Sequence, residues 1–333
     1  MTLNTVDWVV ILLYFVTSAA IGLAYTRRGS QSLADFFASG RSLPWWLAGT
    51  SMVATTFAAD TPLAVAGLVA KYGVAGNWLW WNGAISGILT VFFFARLWRR
   101  AGVLTDVEFA ELRYGGRPAA VLRGFRALYL ALPVNLIIMG WVTRAMVTIL
   151  GITLDVNPWV AAVGLFLVTA LYSTLSGLWG VIVTDAFQFI VAMIGSVVLA
   201  VFAVDAAGGL HTVLARAAAH FGSADAAFSV IPARADAWLP LSTLVVFLAV
   251  QWWASWYPGA EPGGGGYVAQ RILSAKDERH GLLATLWFNI AHYAVRPWPW
   301  IIVGFVSVLQ YPDLANPEEG YVRVIVDVLP SPL

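Results

Sequence analysis

The chain has 333 residues, of which 60% are hydrophobic and 11% charged, with a mean hydropathy of +0.77 and a formal net charge of +1 at pH 7. An ordinary soluble domain carries about 25% charged residues, so this composition describes a polytopic membrane protein. The near-neutral balance, with no basic run interleaved with aromatics, argues against a nucleic-acid partner. With 0 cysteines, disulfides, thiolate metal sites and cysteine nucleophiles are excluded.

The N-terminus MTLNTVD has no basic region and no small-residue cleavage pattern before its apolar run. Trp8 to Tyr25 therefore reads as a retained first span rather than a signal peptide. After GSQSLADFFASGR comes Trp45 to Val69, long enough to cross a bilayer at about 20 residues. Its middle is unsuited to a plain span. Thr55, Thr56, Asp60, Thr61 and Pro62 place hydroxyls, a carboxylate and a helix breaker near the midpoint. Pro62 removes a donor and crowds the preceding turn, so carbonyls around residues 57 to 59 lose their partners. Freed backbone at that depth survives only where protein or a wet cavity covers it, and secondary transporters bind ion and solute at such breaks. The plain alternative is a kinked structural helix whose Asp60 pairs with a neighbour.

A third span runs from Trp78 to Leu97, with Asn82 inside it as a packing residue or a solute contact. Residues 101–117 read as a short interfacial helix started by Thr105 or Asp106 and stopped by Gly115 and Gly116. The fourth span, Leu122 to Leu150, holds Pro133, Asn135 and Gly140; the fifth covers Pro158 to Tyr172 and the sixth Val181 to Val204. Asp185 lies in the first turns of the sixth, where a carboxylate is either functional or a cap or salt bridge at the membrane edge. Residues 205–237 are polar and read as an external loop.

The seventh span, Leu239 to Tyr257, breaks into PGAEPGGGG, which lacks the Lys-Ser or Lys-Thr of a phosphate loop. A short basic connection, QRILSAKDERHG, precedes the eighth span, Leu282 to Leu309. Arg296 lies well inside that span and needs an anionic partner, with a salt bridge to Asp60 or an anionic group of a solute as the two readings. The four histidines, at 211, 220, 280 and 292, have no metal-ligand spacing, and no nucleophile, base and orienter are spaced for catalysis.

With alternating spans and Arg296 left inside its own, Lys71, Arg144, Arg216, Arg234 and Arg323 fall on one side of the membrane. The other 13 Arg and Lys fall on the opposite side. The positive-inside rule then puts both the N-terminus and Leu333 outside.

Four stretches together resemble the sodium:solute symporter family, the group of proline, pantothenate and sodium/glucose transporters. They are DFFASGRSLPWW with the following SMVATTFAAD, then GVLTDVEFAELRYG, SGLWGVIVTDAFQ and VAQRILSAKDE, in the family's order between residues 35 and 277. The resemblance implies an all-α, LeuT-like fold of two inverted five-helix repeats. On that plan residues 1–44 are an extra helix and loop, 45–204 the first repeat, 205–237 an external loop and 238–333 the start of the second repeat. It implies a sodium ion held by the backbone carbonyls of Ala54 and Phe57, with Asp185 close by. Solute would lie near Thr56, Asp60 and Thr61, against the aromatic end of the seventh span at Gln251, Trp252 and Trp253, while Asn82 and Arg296 stay open between a structural role and contact with solute. Where many relatives carry an Asn-Gln pair this chain has PGGGGYVAQR, and its threonines, carboxylate and tryptophans do not extend the likeness to a sugar. Leu333 falls just before the family's eighth core helix, so the chain is expected to be a fragment lacking part of the ion cage.

The function expected on these grounds, for the longer parent protein, is sodium-coupled uptake of a small organic solute by alternating access across the cytoplasmic membrane, and the fragment alone is expected not to carry out coupled transport. The alternative is a sensory or anchoring module built on the same fold.

Overall fold

The computed structural model describes residues 4–29, 31–154, 156–173, 177–232, 238–250 and 265–330. Among them the chain is helical, and its only extended pairing is an isolated bridge between Leu43 and Ala275. Helix α1 covers Thr5–Gly29 and short α2 covers Leu33–Ala38. The expected broken helix is then present as α3, Trp45–Thr55, and α4, Asp60–Tyr72, bent by 65° at the gap. Pro62 is the third residue of α4, where a missing N–H leaves no intrahelical bond to lose.

Helices α5 (Trp78–Trp81), α6 (Gly83–Leu89) and α7 (Ala95–Ala101) make the third span, with a π turn at Thr90–Phe94. The interfacial segment is α8, Phe109–Arg113, led in by a 3-10 turn from Asp106. Helices α9 (Gly116–Tyr129) and α10 (Asn135–Leu154) join through a π turn at Leu130–Val134 that accommodates Pro133. Helices α11 (Pro158–Ser173) and α12 (Gly177–Ala206) follow.

The expected external loop folds instead into α13, Leu210–His220, and α14, Ala224–Phe228, with Val213, Ala217 and Ala227 buried. Its apolar residues recur at helical spacing among the charges, a pattern hidden by the segment's overall polarity. The seventh span is described as α15, Leu241–Ala249. The basic connection is itself the helix α16, Gly266–Ser274, and its Arg271 is 5% exposed rather than solvated. Helices α17 (Glu278–Ile290) and α18 (Pro297–Gln310) form the eighth span around a π turn at Ala291–Val295. Pro297 and Pro299 offer no N–H to that turn, and Arg296 N reaches back to Ala291 O at 3.0 Å. The polar tail also folds: α19, Glu318–Val328, buries Tyr321, Val322 and Val324.

Three described helical stretches are long and apolar enough to cross a membrane unaided, and the two bent pairs raise that to five. Their outer faces carry exposed side chains such as Leu12, Phe92, Phe125 and Ile194, the pattern of surface meeting lipid rather than water.

Two apolar cores hold the molecule. One joins α4, α12, α13, α18 and α19 through Leu63, Val69, Ala203, Trp300 and Val322. The other joins α3, α12, α16 and α17 through Met52, Ile182, Ile272 and Phe288. Phe57, in the gap between α3 and α4, packs against both.

At one end of the bundle Trp179 Nε1 donates to Ser39 O at 3.1 Å, and Arg99 Nε to Ala275 O at 2.7 Å. At the other, Trp78 Nε1 donates to Val230 O at 2.7 Å and Arg216 Nη2 to Leu309 O at 3.3 Å. These pairings bring together the loops that strict alternation assigns to each face.

The broken helix runs beside α17 and α18 with glycines at the closest approaches, as membrane helices do when backbones must come near. A Cβ on Gly49 would stand 2.5 Å from Ala284 O, and one on Gly304 would stand 2.9 Å from Ala66 O. Overpacking of this kind costs about 1–3 kcal/mol. Gly49→Val should therefore lower the melting temperature of the purified protein. Gly140→Val, at an exposed position with nothing within 4 Å of the added carbon, should leave it unchanged.

Candidate functional site

The gap between α3 and α4 is where the backbone departs from helix. Thr56 N donates to Val53 O at 3.3 Å and Phe57 N to Ala54 O at 2.9 Å, closing α3 with tight turns. Thr61 N then donates to Ala58 O at 3.3 Å. The carbonyl of Phe57 accepts no hydrogen bond among the described residues, whereas that of Ala58, four residues before Pro62, is taken by Thr61 N.

Arg296 approaches this gap from the start of α18 and is fully buried. Its Nη1 donates to Val53 O at 3.2 Å and its Nη2 to His292 Nε2 at 3.4 Å. A guanidinium only donates, so the second contact makes Nε2 the acceptor and Nδ1 the donor of the His292 ring. His292 Nδ1 meets Thr56 Oγ1 at 3.1 Å, and that hydroxyl donates to Val53 O at 3.0 Å. The guanidinium carbon lies 5.1 Å from the Trp80 ring centroid, 5.4 Å from Trp300 and 5.9 Å from Phe57, within cation–π range.

The expected salt bridge between Arg296 and Asp60 is not formed among the described residues. The guanidinium is engaged by a backbone carbonyl, an imidazole and three rings instead. Asp60 heads α4, where the helix N-terminus favours a carboxylate.

Beside the gap lies a cavity of about 420 Å³. The break contributes Thr55, Thr56, Ala58, Asp60 and Thr61 to its wall, α5 contributes Trp80, and α10 contributes Asn135, Ile138, Trp141 and Val142. Gly266, Tyr267 and Arg296 complete it from the other side. Of the residues expected to contact solute, Thr56, Asp60, Thr61 and Arg296 share this one space. Asn82 does not line it: its amide donates to Trp78 O and Leu79 O at 2.9 and 2.8 Å, inside its own helix. Gln251, Trp252 and Trp253 lie outside the described residues.

Asp185 belongs to a second polar cluster, about a turn of α3 away from the gap. It accepts from Ser51 Oγ at 2.5 Å and faces Arg271 Nη2 at 3.5 Å. Arg271 also donates to Ser51 Oγ at 3.1 Å and Thr55 Oγ1 at 3.2 Å. A carboxylate and a guanidinium thus cross-link α12 and α16 to one face of α3, one residue from Ala54. Among the described residues no group of three or more His, Cys, Asp or Glu is gathered as a metal site. A cation held here would rest on backbone and hydroxyl oxygens, which suit a hard alkali ion.

Sequence reasoning missed Trp80, Trp141, Tyr267 and His292 as neighbours of the break, because they lie on four separate elements that only the tertiary fold brings together. Arg271 was more legible: an arginine within VAQRIL stands between Val268, Ala269 and Ile272, all buried, and on a nine-residue helix it faces the core with them.

Comparison with known proteins agrees with this architecture. The sodium/glucose cotransporter 1 of Oryctolagus cuniculus is 32% identical over 212 residues, which is 62% of this chain and 31% of that protein. The sodium/glucose cotransporter of Vibrio parahaemolyticus is 26% identical over 341 residues, 96% of this chain and 61% of that protein. The chain thus spans less than two thirds of the length of these relatives. Among solved structures, the substrate-bound outward-open state of a Na+-coupled sialic acid symporter superposes with a TM-score of 0.76 at 20% identity. The match covers 98% of this chain and 66% of that one, and it shows the shared LeuT-like fold. The family model of the sodium:solute symporters matches residues 36–330, and the chain belongs to that family.

Proposed function

We propose that the protein couples sodium entry to the uptake of a small organic solute across the cytoplasmic membrane by alternating access. One observation carries the reading: a transmembrane helix is broken at mid-length, and a cavity of solute size opens at the break. Broken helices with freed backbone oxygens are how such transporters hold a coupling ion next to a solute.

On this reading the carbonyls of Ala54 and Phe57 hold the ion, and the free Phe57 carbonyl supports that assignment. Asp185 supplies negative charge from α12, shared with Arg271. Thr56, Asp60, Thr61 and Arg296 border the solute, with Trp80 and Trp141 as aromatic walls. Residues 45–204 act as one repeat and rock against the elements that follow residue 238. The names of the cotransporters and of the sialic acid symporter support sodium as the coupling ion and leave the solute open.

Uptake by proteoliposomes should collapse when choline replaces sodium outside, and undiminished uptake would sink the coupling reading. In the same assay Asp185→Asn should raise the sodium concentration for half-maximal uptake by about tenfold, equivalent to about 1.4 kcal/mol. The substitution removes an attraction and leaves the Arg271 charge uncompensated beside the ion. Its effect on the maximal rate should be smaller.

The charge asymmetry of the loops supports an N-terminus outside. Because the chain has 0 cysteines, single cysteines report topology without a background. Gln31→Cys should react with an impermeant maleimide only from the cytoplasmic side, and Leu210→Cys only from outside. The reverse pattern would invert the orientation.

A further inference from the structure

The polar groups around the cavity are unevenly committed. Thr55 Oγ1 donates to Ser51 O at 2.8 Å, Thr56 Oγ1 to Val53 O at 3.0 Å and Thr61 Oγ1 to Thr56 O at 2.9 Å. A hydroxyl has one proton to give, so the threonines have none left for a solute.

Two buried atoms at the cavity are without a hydrogen-bond partner among the described residues. They are Asp60 Oδ1 and Arg296 Nε. One is an acceptor on a carboxylate, the other a donor on a guanidinium, and the two groups line the same space without forming an ion pair. The Arg296 side chain is 0% exposed. Leaving buried charged groups incompletely bonded is costly unless something else completes them. Much of the remaining wall is apolar, at Val65, Leu68, Ile138 and Val142.

We infer that the cavity binds a small zwitterion, with its ammonium group on Asp60, its carboxylate toward Arg296 and an apolar body against Val65, Leu68 and Ile138. A monosaccharide matches this wall less well, because the threonine hydroxyls can accept from it but have no proton left to donate to it. The volume lies within the roughly 300–1,000 Å³ of small-molecule sites. This inference rests on the cavity being the solute site of a symporter.

The test is a ligand-dependent thermal shift of the purified protein in nanodiscs. The probes are L-valine, L-proline, 4-aminobutanoate and glycine betaine, the amide and the amine-free acid corresponding to each, and D-glucose. A zwitterion should bind about tenfold tighter than both of its single-charge analogues, a difference of about 1.4 kcal/mol. Asp60→Asn should erase its advantage over the amine-free acid. The analogue series is read on the wild type, so the outcome does not depend on the variant folding. Stabilisation by D-glucose alone, equal binding of the amine-free acid, or no stabilisation by any zwitterion would overturn the inference. Running each titration with sodium and with choline separates the two claims. Zwitterion binding indifferent to sodium leaves this inference standing and removes the coupling, whereas sodium-dependent binding of glucose alone does the reverse.

Discussion

A carbonyl released by a helix break inside a membrane must find a donor, and in this protein one of those donors is Arg296. Its guanidinium reaches from the first turn of α18 to the carbonyl of Val53 at the end of α3. No water in the hydrocarbon could do the same. The cation itself is tolerable at that depth because three aromatic rings, the His292 ring and a carbonyl surround it. The break therefore depends on α18, and the π turn before α18 depends on the prolines that follow Arg296. Loss of this contact would leave the buried guanidinium short of an acceptor, while Val53 O would keep its bonds from Thr56 N and Thr56 Oγ1.

The same arrangement explains why the molecule has two cores rather than one. Each half of the broken helix packs with its own partner, α3 with α17 and α4 with α18, at glycine contacts that bring backbones together. Phe57 touches both cores, and among the described residues its carbonyl accepts no hydrogen bond. The Asp185 and Arg271 pair fastens α12 and α16 to α3 just below that point. On the proposed reading, ion, solute and the relative position of the halves are linked through the backbone from Thr55 to Asp60.

Much of this was legible in the residues themselves. Pro62 and Asp60 marked the break because a proline and a carboxylate in mid-span are physically expensive, and expensive features need a reason. The fold plan followed from the quoted motifs. What was not legible follows a pattern as well. Helices α13 and α19 lie in segments where Gly, His and charged residues interrupt the apolar ones, and packing against α18 makes their buried stripe decisive. A salt bridge to Asp60 was one of the two readings for Arg296 because opposite charges are easy to pair on paper, while a carbonyl or an aromatic ring as acceptor leaves no mark in a sequence. Trp80, Trp141 and His292 come to the break from distant stretches, and contacts of that range depend on the tertiary arrangement.

The central claim is that the free backbone at the break is an ion site. The most direct measurement is a crystal structure of the protein with thallium(I) in place of sodium, read in anomalous difference maps. The account predicts a peak between the carbonyl oxygens of Ala54 and Phe57, beside the cavity. A peak only elsewhere, or none with thallium saturating, would contradict it.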